Sequence, residues 1–125
     1  MEKYVSISES ELQVMKVIWK ESPQTLQDIL FKLNHTGWST TTIQTYLARL
    51  VKKKALITKR KGKRYLYYPA ISESECLLEE SKHFLHRIYD GSLAKMVSCF
   101  IKSGNLPKSE LESLKKLIEQ QEKQQ

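Results

Sequence analysis

Three successive helical stripes followed by two short β-prone runs, a basic excess confined to the first 71 residues, and helical periodicity throughout the remainder predict the fold class. It is mainly α with a small β-hairpin: a winged helix-turn-helix over residues 1–71, then a helical dimerisation region over 72–125. The 125 residues are 40% hydrophobic and 28% charged. A chain of this size buries a core without staples, and this one is too apolar for global disorder. The net charge of +7 is unevenly placed. Residues 1–71 carry thirteen Lys and Arg against five Asp and Glu, and residues 72–125 carry eight against nine. Between Asp28 and Glu73 lie ten basic side chains and no acidic one. A surface of one sign attracts a polyanion, and duplex nucleic acid is the commonest in a cytoplasm.

Capping chemistry places the helices. A Ser or Thr followed three residues later by Glu satisfies two orphan N–H donors reciprocally, as Ser8 with Glu11 and Ser72 with Glu75 can do. The first helix runs from about Ser8 to Glu21, with Leu12, Met15, Ile18 and Trp19 on one side, Ile7 and Leu12 as a hydrophobic staple, and Pro23 as its stop. Thr25 caps a second, in which Leu26, Ile29, Leu30 and Leu33 form a buried stripe ended by His35-Thr36-Gly37. Ser39 caps a third, with Ile43, Leu47, Leu50 and Val51 on the packing face and Thr42, Thr45, Arg49 and Lys52 on another. Leu56-Ile57-Thr58 and Tyr65-Leu66-Tyr67-Tyr68 read as two strands around a basic turn, Lys59 to Arg64, and Pro69 ends the second.

Beyond Ser72 three amphipathic helices follow. Leu77, Phe84, Leu85 and Ile88 mark one, ended near Asp90-Gly91. Leu93, Met96, Val97, Phe100 and Ile101 mark the next. Leu111, Leu114, Leu117 and Ile118 mark the last, entered near Pro107, with Gln120–Gln125 as a frayed polar end. Short amphipathic helices need a second surface, and another copy of the chain is the simplest supplier.

The third helix carries the chemistry. A major groove admits one helix, and a reader needs short polar side chains near the N-terminus and cations further along. Thr41, Thr42, Gln44 and Thr45 are the candidate base readers. Trp38, Ser39, Arg49, Lys52, Lys61, Lys63 and Arg64 are the candidate phosphate contacts, with Lys53 a further cation. The alternatives are an exposed polar helix face, a charged hairpin that resists aggregation, and Trp38 as interhelical packing. Tyr65, Tyr67 and Tyr68 read as packing aromatics rather than base-stacking ones. Phe84, Leu85, Leu93, Met96, Val97, Phe100, Leu111, Leu114 and Leu117 are the candidate dimer seam.

Other chemistries lack their residues. GxSxG, HExxH and P-loop patterns are missing, so no enzyme, cofactor or metal is expected. His83 and His86 lie one turn apart without a third ligand nearby. Cys76 and Cys99 form no CxxC and sit on apolar stripes, where burial is the usual outcome. The opening MEKYVSISESEL holds no apolar leader, and no run is long enough to span a bilayer, so a cytoplasmic protein without membrane insertion is expected.

The residues resemble the BlaI/MecI/CopY penicillinase-repressor family. The resemblance runs through Ser8, Glu11-Leu12, Met15, Trp19 and Pro23, then Trp38-Ser39, Thr42-Ile43, Thr45, Leu47, Arg49-Leu50 and Lys52-Lys53. It continues in the wing pattern Gly62-Lys63-x-Tyr65-x-Tyr67-x-Pro69, Phe84-Leu85-x-Arg87 and Gly91-Ser92-Leu93. It implies a homodimeric transcriptional repressor bound to palindromic double-stranded operator DNA. The cysteine-free tail is closer to the β-lactam-resistance branch than to the copper-responsive one. That branch implies control of resistance genes, a membrane sensor protease system as a partner, and inactivation by cleavage at an Asn-Phe bond, which matches Cys99 and Phe100 here. Cys99 thus departs from the family's Asn, and Lys54 stands where the family has Gly after the third helix. The alternative from another class is a winged-helix module that docks a protein and does not read DNA.

Overall fold

The computed structural model describes residues 4–125; Met1 to Lys3, where the segment read as holding no apolar leader begins, lie outside the described residues. Helix α1 (Glu9–Lys20) starts at the expected box: Glu11 N donates to Ser8 Oγ at 3.1 Å and Ser8 N donates to Glu11 Oε1 at 3.0 Å. Ile7 is buried just before it and shares the core with Leu12, as a staple requires. A two-residue strand, β1 (Gln24–Thr25), precedes α2 (Leu26–Lys32). Thr25 caps α2 through a second reciprocal box with Asp28. A single 3₁₀ turn, Asn34–Thr36, and Gly37 in the left-handed region at φ +76° lead to α3 (Thr40–Lys52), capped by Ser39.

Helix α3 ends in a Schellman arrangement. Ala55 N donates to Leu50 O at 2.9 Å and Lys54 N to Val51 O at 3.0 Å, which holds Lys54 at φ +66°. The helix therefore ends as a glycine-bearing terminus does, with Lys in the left-handed position. Strands β2 (Leu56–Lys61) and β3 (Arg64–Pro69) then form the wing, and α4 (Glu73–Tyr89), α5 (Leu93–Ser103) and α6 (Lys108–Gln124) complete the chain.

The sheet has the order β1-β3-β2 and is antiparallel. Leu56 pairs with Pro69 and Lys61 with Arg64, so the wing turn is the two residues Gly62 and Lys63. The expected six-residue basic turn is thus mostly strand: cross-strand pairing carries Lys59, Arg60 and Lys61 into β2 with their charges outward. Gly62 at φ +64° takes the first turn position, which an L-residue disfavours. Strand β1, the additional member of the sheet, has no counterpart in the two strands read from the sequence.

Two compact units divide at Lys82 and His83, within α4. The first centres on Val14, Met15 and Ile18 of α1, Ile29 and Leu33, and Ile43, Leu47 and Leu50 of α3, closed by Ala55, Leu56 and Cys76. Trp19 Nε1 donates to Ile71 O at 3.0 Å, which fastens the segment after the wing to α1. In the second unit Gly91 N donates to Leu85 O at 2.8 Å and closes α4, Ser92 caps α5, and Gly104 at φ +76° ends it. Neither α5 nor α6 buries a residue. Two expectations need correction. Gln120–Gln125 are not a frayed end, because α6 continues to Gln124 on side chains with good helix propensity. Cys99 is exposed, whereas Cys76 is buried.

Candidate nucleic-acid interface

Helix α3 turns Ile43, Leu47 and Leu50 inward, and the 3.6-residue repeat therefore turns Thr41, Gln44, Thr45, Ala48, Arg49 and Lys52 outward, all exposed. Thr42 lies at the edge of this face. It is half-buried, its N–H donates to Ser39 Oγ at 3.1 Å, and its Oγ1 accepts from the Ser39 hydroxyl at 3.0 Å. Thr45 Oγ1 donates to Thr41 O at 3.0 Å, so its oxygen keeps an acceptor role on an exposed side chain. The face offers hydroxyls and an amide toward the N-terminus and two cations toward the C-terminus.

Lys53 does not join those cations. Its Nζ lies 2.5 Å from Glu11 Oε1, pinning the end of α3 to the start of α1. Glu11 is 1% exposed. Burial pushes its carboxyl pKa up, but hydrogen bonds from Lys53 and from Ser8 N–H outweigh this and hold it below the ordinary value. Sequence reasoning saw Glu11 as a cap alone. The compensating cation is 42 positions away, and no local pattern points to it.

Trp38 is half-buried, with its ring edge-on to Tyr46 at 5.2 Å between centroids and 75° between planes. It packs against the core at the entrance to α3. Ser39 is exposed beside it.

The wing sorts its own cations. Lys59 Nζ sits 5.1 Å over the Tyr68 ring, and Arg60 Nε donates to Gly62 O at 3.0 Å, so both fold back on the hairpin. Lys61, Lys63 and Arg64 are exposed. Gln44 and Ala48 of α3 line one shallow depression with Thr58 and Tyr65 of the wing, so helix face and wing form one continuous surface. Tyr67 is half-buried against the core and its hydroxyl pKa is raised by burial.

Residues 7–120 match the penicillinase repressor family. The chain belongs to that family. Over 121 residues it is 40% identical to the penicillinase repressor of Bacillus licheniformis, covering 96% of this chain and 94% of the relative. It is 30% identical over 117 residues to the methicillin resistance regulatory protein MecI of Staphylococcus aureus strain N315, covering 93% and 95%. The solution structure of the DNA-binding domain of the repressor BlaI matches with a TM-score of 0.54 at 46% identity, covering 60% of this chain and 93% of that one. A second solution structure, the B. licheniformis BlaI monomeric form in complex with the blaP half-operator, matches at 0.52 with the same identity and coverage. The first unit is therefore a winged helix of the BlaI kind. Penicillinase repressors are transcriptional regulators and not enzymes. Among the described residues no helix is long and apolar enough to cross a membrane, and no cluster of three or more His, Cys, Asp or Glu could hold a metal ion.

Proposed function

We propose that this penicillinase repressor binds a palindromic operator as a homodimer, with Thr41, Gln44 and Thr45 reading base edges and Thr42 at the margin of that set. Arg49, Lys52, Lys61, Lys63 and Arg64 contact phosphates, Ser39 stands at the α3 N-terminus beside them, and Trp38 buttresses that end. One observation carries the reading. The outward face of α3 meets the wing at a depression lined by Gln44, Ala48, Thr58 and Tyr65, with Lys61, Lys63 and Arg64 exposed on the wing, in a domain 46% identical to one solved on its half-operator. Groove readers need this order of short polar groups followed by cations.

Apolar side chains of the second unit support self-association. Phe84, Leu93, Phe100 and Leu117 are 43–62% exposed in the single chain, beside half-buried Leu85, Met96, Val97, Leu111 and Leu114. Patches of this kind mark interaction surfaces. The genes controlled are those of β-lactam resistance, and proteolysis between Cys99 and Phe100, signalled by a membrane sensor system, ends repression.

The test is a mobility-shift titration on the blaP operator and on random duplex across a salt series. The expected result is tighter binding to the operator at every salt concentration and a steep loss of both affinities as salt rises. Equal affinity for the two DNAs would overturn the reading in favour of a protein-docking winged helix.

A further inference from the structure

The first unit contains a clamp that the DNA-binding surface does not use. Residues 4–7 run along α4 before α1 begins, and one carboxylate holds them. Glu80 Oε2 accepts from the Tyr4 hydroxyl and from Ile7 N–H, the latter at 3.1 Å, while Ser6 Oγ donates to both Glu80 oxygens at 3.4 Å. The Tyr4 hydroxyl also lies 3.7 Å from Cys76 Sγ, one turn earlier on α4 and fully buried. Ile7, three residues after Tyr4, is itself buried in the core next to the capping box of α1.

These contacts form a chain from the recognition helix to α4. Lys53 at the end of α3 grips Glu11 of α1, Glu11 accepts from Ser8 N–H, and the segment running back from Ser8 through Ile7 and Ser6 to Tyr4 is held by Glu80. Glu80 stands in the last turn of α4 before the boundary at Lys82 and His83. Carboxylate hydrogen bonds are about twice as strong as neutral ones and demand a narrow geometry. A carboxylate that fastens several points of a neighbouring strap therefore restricts the heading of the helix that carries it.

We infer that Tyr4 and Glu80 are positioning residues for operator recognition: they hold the first turns of α4 on the DNA-binding unit, and thereby set the half-site spacing the protein accepts. The inference rests on the homodimer reading above. A tethered second unit gains from effective concentration only when its linkage holds it near the second half-site. Loosening the clamp would let the first turns of α4 shift on the DNA-binding unit, lowering affinity for the correct spacing and flattening the penalty for wrong ones.

The experiment uses the full chain as wild type and as three variants, Tyr4→Phe, Glu80→Ala and Glu80→Gln, on a single half-site, on the two-half-site operator, and on operators with one base pair inserted or removed between half-sites. Tyr4→Phe and Glu80→Ala are expected to bind the single half-site as wild type does, which also reports that the winged unit is folded. On the correctly spaced operator they should lose roughly 10-fold, a small part of the gain that tethering can supply. Their losses on misspaced operators should be smaller than those of wild type. Glu80→Gln keeps an acceptor for Ile7 N–H and should fall between. Variants that retain both wild-type operator affinity and wild-type spacing dependence would overturn the clamp while leaving the homodimer reading intact. A wild-type protein that binds two half-sites no better than one would overturn the homodimer reading and the clamp with it.

Discussion

Thr45 and Lys63 engage DNA through different chemistry in the proposed complex, and single substitutions separate them. Thr45 lies mid-face on α3, where a base edge would stand, so Thr45→Ala should cost about 1–3 kcal/mol on the operator and little on random duplex. Lys63 is an exposed turn residue of the wing. Lys63→Ala should weaken both DNAs alike and reduce the salt slope by about one. Equal losses on both DNAs for Thr45→Ala would remove it from the reading face. Glu11 and Lys53 govern stability instead. Removing the ammonium in Lys53→Met strands a buried carboxylate and should cost about 3–5 kcal/mol in chemical denaturation. The folded pKa of Glu11 lies below its ordinary value of 4.5, so its contribution is full above that pH and is lost as pH falls through the lower folded value. The gap between wild type and Lys53→Met should therefore narrow in acid, since a protonated carboxyl no longer needs the cation. A gap that stays constant from pH 7 to pH 3 would mean that Glu11 is not the group involved.

At the scale of elements, the terminus of α3 is the informative place. Lys54 occupies a left-handed position that costs an L-residue ~1–2 kcal/mol, and glycine relieves this while losing ~0.5–1 kcal/mol in the unfolded chain. Lys54→Gly should therefore raise stability by about 0.5–1 kcal/mol, seen as a higher urea midpoint at unchanged slope. A lower midpoint would refute the strain. The same terminus shows what a sequence can and cannot disclose. The helices were legible because their signals are local: Ser8 with Glu11, Thr25 and Ser39 as caps, and the inward stripe of Ile43, Leu47 and Leu50 all act within one turn or two. Strand β1 was not, since two residues carry no periodicity and exist as a strand through Tyr67 and Leu66 of β3. The outward face of α3 was legible but rotated slightly. Packing of Ile43 brings its neighbour Thr42 to the edge, and the cap claims the Thr42 hydroxyl. Lys53 was misplaced because its partner, Glu11, is distant in sequence and close only in the fold.

At the scale of the whole molecule, repression in the proposed reading depends on two DNA-binding units held together, with half-sites spaced by about one helical turn, ~34 Å, or a multiple. Phe100→Asp or Leu114→Asp would set a charge in the proposed apolar seam and should give monomers by sedimentation at micromolar concentration, where the wild type is expected to sediment as a dimer. In the same proposed reading, scission would act on this dependence without disturbing the first unit. The bond between Cys99 and Phe100 lies inside α5, and both residues are exposed. A protease needs extended backbone, so α5 must open first. An isolated helix of 11 residues is marginal in water, which keeps that opening accessible. Cys99 lacks the amide hydrogen bonds that an Asn would offer, so in the proposed reading a protease should recognise this bond more weakly than an Asn-Phe bond. The consequence of cutting does not depend on which protease cuts. A specific protease site inserted between Cys99 and Phe100 should leave operator binding intact until cleavage and then lower operator affinity toward that of a single half-site, while residues 1–82 stay folded by circular dichroism. If the cleaved protein holds the operator as tightly as the intact dimer, scission is not the off-switch, and release must come from a small molecule or a protein partner.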